Sequence, residues 1–223
     1  MKTIIIVTSG ILMTEVIWRL YKAYRHSSKK AVKVFNGCVK QYKNTKDKAE
    51  IFEVMFFSKD STLCRSHLTC QEICEKTDCA VGYFRKLIDY LDSATDTLDI
   101  CMYFFTSLYL TTAIINAHKR GVIVRMVLDE STLPHNSGKP IMLLHKTGII
   151  PKYKQLNVLM HHKFIIVDNN ILITGSVNWT MAAFFGNFEN LMVTNETRLV
   201  KPFINEFEKI WTMFSTKEDD SEK

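Results

Sequence analysis

Residues 4–18 are mostly apolar, interrupted by Glu15, and the chain then turns polar and basic as far as position 48. Arg19, Lys22, Arg25, Lys29, Lys30 and Lys33 follow closely behind the apolar run. Crossing the hydrocarbon of a bilayer takes about 20 such residues. A run of nearly that length with its positive charge on the C-terminal side predicts a short membrane anchor over 1–20, a basic linker over 21–48 and a cytosolic remainder. A cleaved signal peptide would carry its charge ahead of the run. From position 49 the periods become short. Residues 51–57, 98–105, 122–128, 164–167, 171–174 and 191–194 are strongly apolar stretches that predict strands, whereas 82–91, 108–118, 141–146 and 203–214 repeat apolar positions at helical spacing. In the last of these, Phe203, Phe207, Ile210, Trp211 and Phe214 form one stripe. Gly121 and Gly148 mark helix ends, and Asp168-Asn169-Asn170 is turn composition between two strands, which predicts a hairpin. Strands alternating with helices predict a single α/β domain over 49–215, a sandwich in which helices flank a mixed β-sheet, with a charged tail over 216–223.

At 223 residues there is room for one such domain and an anchor. Apolar residues at 47% of the chain exclude a disordered or fibrous protein. The net charge of +6 and a pI near 8.9 favour anionic partners. Phosphate-rich polymers and acidic lipid head groups satisfy that equally. The sequence contains no internal repeat.

The chemistry concentrates after position 160. His161-His162-Lys163 opens an H-x-K-x4-D pattern that ends at Asp168, followed by Gly175-Ser176-Val177-Asn178 and Asn187-Phe188-Glu189-Asn190. On a strand His161 and Lys163 project from one face and His162 from the other. An imidazole attacks phosphorus as a nucleophile when a carboxylate orients its second nitrogen, forming a covalent intermediate that water resolves. Lys163 offers a fixed positive charge to the non-bridging oxygens, and Ser176 and Asn178, again two apart, are further donors. Glu189 is the candidate to orient an imidazole. Asp168, at the hairpin turn, suits a cap on local backbone groups better than a substrate contact. His162 reads as structural or as facing the substrate side.

These motifs together resemble the phospholipase D superfamily. The resemblance implies a phospholipase D-like sandwich with one half-site per subunit, and catalytic roles for His161, Lys163, Asp168, Ser176, Asn178 and Glu189. It also implies two facing motifs per active site, one histidine attacking while the other protonates the leaving oxygen. Only one H-x-K pattern of this kind is present, so the economical arrangement is a homodimer. The resemblance further implies catalysis without a catalytic metal.

Cys64, His67, Cys70, Cys74 and Cys79 lie close together just after the first predicted strand. Thiolate and imidazole ligands at this density suit a tetrahedral structural zinc, and a cytosolic domain disfavours disulfides. Cys64, His67, Cys74 and Cys79 are the predicted ligands, with Cys70 the surplus candidate. Cys38 and Cys101 stand apart from the cluster.

A short N-terminal span, a Cys/His cluster ahead of the first helix and a single motif are together similar to a mitochondrial branch of the superfamily. That likeness implies a single-pass protein of the mitochondrial outer membrane with its catalytic domain in the cytosol. It implies two phosphodiester substrates. One is single-stranded RNA, cut endonucleolytically in the biogenesis of PIWI-interacting RNAs alongside PIWI-pathway proteins; the other is cardiolipin, hydrolysed to phosphatidic acid. Arg125, Lys152 and Lys154 near the motif favour RNA, whose backbone a basic groove would track. Phe184 and Phe185, after Asn178, offer a lipid-facing wedge instead. A catalytically silent adaptor would have no need for His161, Lys163, Asn178 and Glu189 together.

Overall fold

The chain divides into two units, 1–49 and 50–223. The computed structural model describes residues 49–69, 74, 76–132 and 138–215. The expected anchor over 1–20, linker over 21–48 and tail over 216–223 lie outside the described residues, as does Cys70.

Six strands form one sheet: β1 (Phe52–Phe57), β2 (Thr97–Met102), β3 (Ile123–Leu128), β4 (Lys163–Val167), β5 (Ile171–Gly175) and β6 (Glu189–Thr194), in the order β1-β6-β5-β4-β2-β3. Only β2 and β3 run parallel, joined through a crossover helix; the other neighbours are antiparallel. The helices are α1 (Ala80–Asp92), α2 (Leu108–Lys119), α3 (Lys139–Lys146), α4 (Met181–Gly186) and α5 (Thr197–Met213), with 3-10 turns over Lys59–Leu68 and Glu130–Thr132. This is the predicted α/β sandwich with helices on both faces of a mixed sheet.

Strand alternation sorts the side chains into two cores. Leu98, Ile100 and Met102 of β2, Met126 and Leu128 of β3, and Ile165 and Val167 of β4 pack with Phe84, Leu87 and Leu91 of α1, Ile114 of α2 and Leu144 of α3. The intervening residues Cys101, Val127, Phe164, Ile166 and Leu172 face the other way and meet Val200, Phe207 and Ile210 of α5. α5 therefore covers that face with the apolar stripe seen in the sequence. It begins at Thr197, ahead of the expected start at 203, and carries Pro202 inside it. Proline lacks an N–H and normally signals a helix boundary, which is why the first turns escaped the pattern.

Two turns follow the predicted chemistry. Asp168 and Asn169 both adopt φ of 51°, the left-handed conformation that Asp and Asn tolerate better than most residues and that tight hairpins require. Gly121 and Gly148, at φ of 94° and 87°, terminate α2 and α3. The catalytic candidates other than Asp168 gather at one end of the sheet, where β2 and β5 finish and β4 and β6 start: Met102 pairs with Lys163 and Gly175 with Leu191.

Candidate functional site

β4 starts at Lys163, so His161 and His162 precede the strand on which they were expected. The pairing nevertheless continues one step beyond the strand, because Tyr103 N–H donates to the His162 carbonyl at 3.0 Å. The alternation survives. The His162 ring sits edge-on against Phe164, 5.4 Å away, on the α5 side. His161 and Lys163 share Tyr103: the imidazole centroid is 4.5 Å from the phenol ring, and the Lys163 ammonium lies 4.9 Å over it. Lys163 Nζ also donates to the His161 carbonyl at 2.8 Å. Burial holds the Lys163 pKa below that of an ordinary lysine, against a smaller opposing pull from Glu189. Sequence reasoning missed Tyr103, which fell inside an expected strand over 98–105. Its signal is the antiparallel pairing of β2 with β4, and that pairing is a property of the sheet order.

Across the same end of the sheet, the Ser176 hydroxyl donates to the Glu189 carboxylate and accepts the Asn190 N–H at 3.0 Å. Asn187 Nδ2 donates to Glu189 Oε1 at 3.1 Å. Among the described residues, Ser176 and Asn187 thus hold the carboxylate that was expected to orient an imidazole. Gly175 makes this approach feasible: a Cβ there would lie 2.1 Å from the Asn190 carbonyl oxygen. Asn178 keeps its Oδ1 buried without a partner. The next residue, Trp179, laces the two loops together, its N–H donating to the Phe104 carbonyl at 2.9 Å and its carbonyl accepting the N–H groups of Thr106 and Ser107.

Asp168 is not brought to this cluster. It sits at the far end of β4, roughly 16 Å along the strand from Lys163, and its carboxylate accepts the N–H groups of Thr95, Asp96 and Thr97 at 3.0, 2.8 and 2.9 Å and the Thr95 hydroxyl at 3.0 Å.

The residues expected to choose the substrate do structural work instead. Arg125 lies beneath α5, where its guanidinium makes two 2.7 Å bonds to Asp99 and one to Glu208 and stacks 4.7 Å over Phe207. The Asp99 carboxylate raises its pKa further. Lys152 places its ammonium 3.5 Å over the Trp211 ring, and Lys154 donates to the Met213 carbonyl at 3.2 Å. All three dock the last helix. Phe184 and Phe185 are core residues, 0% and 3% exposed, packed against Phe57 and Phe84, so they form no lipid-facing wedge. α4 turns them inward. The exposed aromatic beside Glu189 is Phe188, at 78%.

A second cluster follows β1. The ligand atoms of Cys64, His67, Cys74 and Cys79 all lie within 4.8 Å of one another, a spread that an ion with bonds of about 2.0–2.3 Å gathers with little movement. His67 Nδ1 is buried with no partner. Burial raises the Cys79 thiol, but His67, the Gly82 N–H, Cys74 and the Val81 N–H outweigh it and bring the pKa down to about 7. An orphaned imidazole nitrogen beside a thiol inclined to ionise fits a soft divalent cation.

Residues 87–211 match the family described as "Cardiolipin synthase, PLD-like domain", a span that includes His161, Lys163, Ser176, Asn178 and Glu189. The chain belongs to the phospholipase D superfamily. A curated relative from Danio rerio, named mitochondrial cardiolipin hydrolase, is 37% identical over 165 residues, covering 71% of this chain and 72% of its own. One of the same name from Drosophila melanogaster is 29% identical and covers 97% of this chain and 90% of its own. Among solved structures, the phospholipase D family member Nuc from Salmonella typhimurium superposes with a TM-score of 0.55 at 27% identity, covering 73% of this chain and 95% of that one. Superfamily membership makes the chain an enzyme of the phospholipase D type, a phosphodiesterase.

Proposed function

We propose that this chain hydrolyses phosphodiesters through a covalent phosphohistidine at His161, as one half of a homodimer, and that its substrate is single-stranded RNA. The observation that supports this most directly is the shared seat of His161 and Lys163 on Tyr103, at the sheet end that also carries Ser176, Asn178 and Glu189. An imidazole nitrogen bonds to phosphorus as the bond to the leaving oxygen breaks, and that oxygen takes a proton from the imidazolium of a second copy. Water then attacks the phosphohistidine, the second imidazole accepts the proton, and the P–N bond breaks. Lys163 and the Asn178 amide stabilise the charge on the non-bridging oxygens throughout. No step calls for a catalytic metal. Cys64, His67, Cys74 and Cys79 hold a structural zinc in this reading, and residues 1–20 anchor the enzyme in the mitochondrial outer membrane with the catalytic domain facing the cytosol. RNA substrate and PIWI-pathway partners then belong to the biogenesis of PIWI-interacting RNAs.

With the three basic candidates committed to α5, the support for RNA comes from elsewhere. A cavity of about 310 Å³ just ahead of the motif in sequence is lined by polar residues from Asp129 to Ser131 and at Lys154 and Gln155, and by Leu156, Val158 and Leu159. Its polar wall offers hydrogen-bond partners to the edge of a splayed base, while Leu156, Val158 and Leu159 line the rest. Cardiolipin hydrolysis to phosphatidic acid is the second reading. The names of the relatives favour it, as does the exposure of Val158, Leu159 and Phe188 near the motif.

The purified protein, incubated without divalent metal, is offered labelled single-stranded RNA and, separately, cardiolipin vesicles. RNA cleavage that disappears in His161→Asn is the expected result. Turnover of the vesicles alone would overturn the RNA assignment, and activity surviving in His161→Asn would overturn the mechanism.

A further inference from the structure

His161 lies outside the strand that carries Lys163, so the motif's own secondary structure does not hold the imidazole in place. Two backbone bonds bracket it. On one side, the N–H of Met160 donates to Asp129 Oδ2 at 2.6 Å. On the other, the His162 carbonyl accepts the Tyr103 N–H at 3.0 Å. Both brackets lead to the short turn that follows β3. Asp129 is fixed there by the Ser131 N–H at 3.0 Å and by the Ser131 hydroxyl. The single Thr132 hydroxyl proton is shared between the Asp129 carbonyl at 2.7 Å and the Tyr103 carbonyl at 3.1 Å. Asp129 is 5% exposed and Thr132 2%. Neither belongs to the H-x-K, G-S-x-N or E-N patterns.

We infer that Asp129 and Thr132 are positioning residues for catalysis: together they clamp the His161 backbone and its Tyr103 seat to the end of β3, setting the imidazole in register with the Lys163 ammonium. A carboxylate suits this place because it has two oxygens for three donors. One oxygen serves both bonds from Ser131 and the other receives Met160, so an amide in its place accepts on one side only. With an amide there, either the Met160 N–H or the Ser131 N–H loses its acceptor, and in both cases the tie between the turn and the stretch ahead of His161 is cut, so that stretch drifts relative to β4. Misplacement of a reacting group by about 1 Å costs on the order of a hundredfold in rate, while substrate contacts made elsewhere in the groove stay intact.

The inference rests on His161 being the nucleophile, and the test separates the two. Asp129→Asn, Thr132→Val and His161→Asn are assayed on bis(p-nitrophenyl) phosphate, a small phosphodiester that needs little of the groove, with thermal unfolding followed in parallel. Asp129→Asn is expected to lower kcat on the order of tenfold or more with KM within about twofold, and to slow formation of the acid-labile phosphohistidine without reducing its final amount. Thr132→Val, nearly isosteric, produces a smaller loss of the same kind and decides the matter if Asp129→Asn does not fold. A residue that only stabilises the fold would lower the unfolding temperature and leave kcat per folded molecule unchanged. That outcome, or kcat within about twofold of wild type in the folded variants, overturns the clamp. Turnover persisting in His161→Asn removes the nucleophile and the clamp together.

Discussion

The carboxylate that closes the H-x-K-x4-D pattern sits at the opposite end of β4 from His161 and Lys163, where it receives three backbone N–H groups and a hydroxyl at the entry to β2. The spacing that makes the pattern recognisable is thus the length of one strand, with chemistry at one end and a backbone cap at the other. Burial alone would raise the pKa of Asp168, but the N–H groups of Thr97, Asp96 and Thr95 more than reverse this and hold it below the ordinary carboxylate value. A folded-state pKa below the unfolded one means that stability from this group is fully present above about pH 4 and is lost as pH falls through the folded value. Asn tolerates the left-handed backbone at this position, so Asp168→Asn removes the charge with little added strain. The variant is expected to be about 1–3 kcal/mol less stable in urea at pH 7, with the gap to wild type closing as the pH drops below about 4. A gap independent of pH would show that the ionised carboxylate does not cap β2. Catalytic activity at neutral pH should persist in proportion to the folded protein.

At the scale of elements, the periodicities were legible wherever a stretch faced one core. The α5 stripe of Phe207 and Ile210, the hairpin at Asp168-Asn169 and the glycine stops at Gly121 and Gly148 all follow from local chemistry. What was not legible depended on which element docks where. Arg125 sits two strands away from the motif, across β2, and reads as a substrate contact until α5 is laid over it; then Asp99, Glu208 and Phe207 account for its guanidinium. Phe184 and Phe185 read as a loop wedge because six residues of α4 are too few to show a period. The Tyr103 seat needs the neighbour relation between β2 and β4, which no local pattern encodes. The segment from Lys59 to Leu68 escaped for another reason. It is a ten-residue 3-10 helix, a form that rarely persists beyond three or four residues unaided. A Ser58–Ser61 capping box supports one end, and the Cys64–His67–Cys74–Cys79 cluster ties the other to α1. Protein purified without chelator is expected to carry about one zinc per chain, and Cys79→Ser to lose the metal and unfold at lower temperature. Metal-free protein with full stability would overturn the zinc assignment.

At the scale of the whole molecule, the proposed reaction uses two imidazoles, whereas the face of the motif that carries Lys163 offers one, His161, with His162 turned to the other face. The attacking group must be unprotonated while the group serving the leaving oxygen must carry a proton, and a single side chain cannot be both in the same transition state. Within its own chain Glu189 is held by Ser176 and Asn187, and Asn178 Oδ1 has no partner among the described residues. A two-fold arrangement presents the same surface from both copies and supplies the missing imidazole by symmetry. Two independent half-sites and one composite site make different predictions for a heterodimer of wild-type and His161→Asn chains, isolated through two different affinity tags. Independent half-sites would retain about half of the wild-type activity. A composite site retains one imidazole and lacks the other, so its rate should fall by about 10²–10⁴-fold, the usual contribution of a positioned acid or base. Because both chains of the heterodimer fold identically at every other position, retention of half the activity would locate a complete active site within one subunit and remove the need for the second.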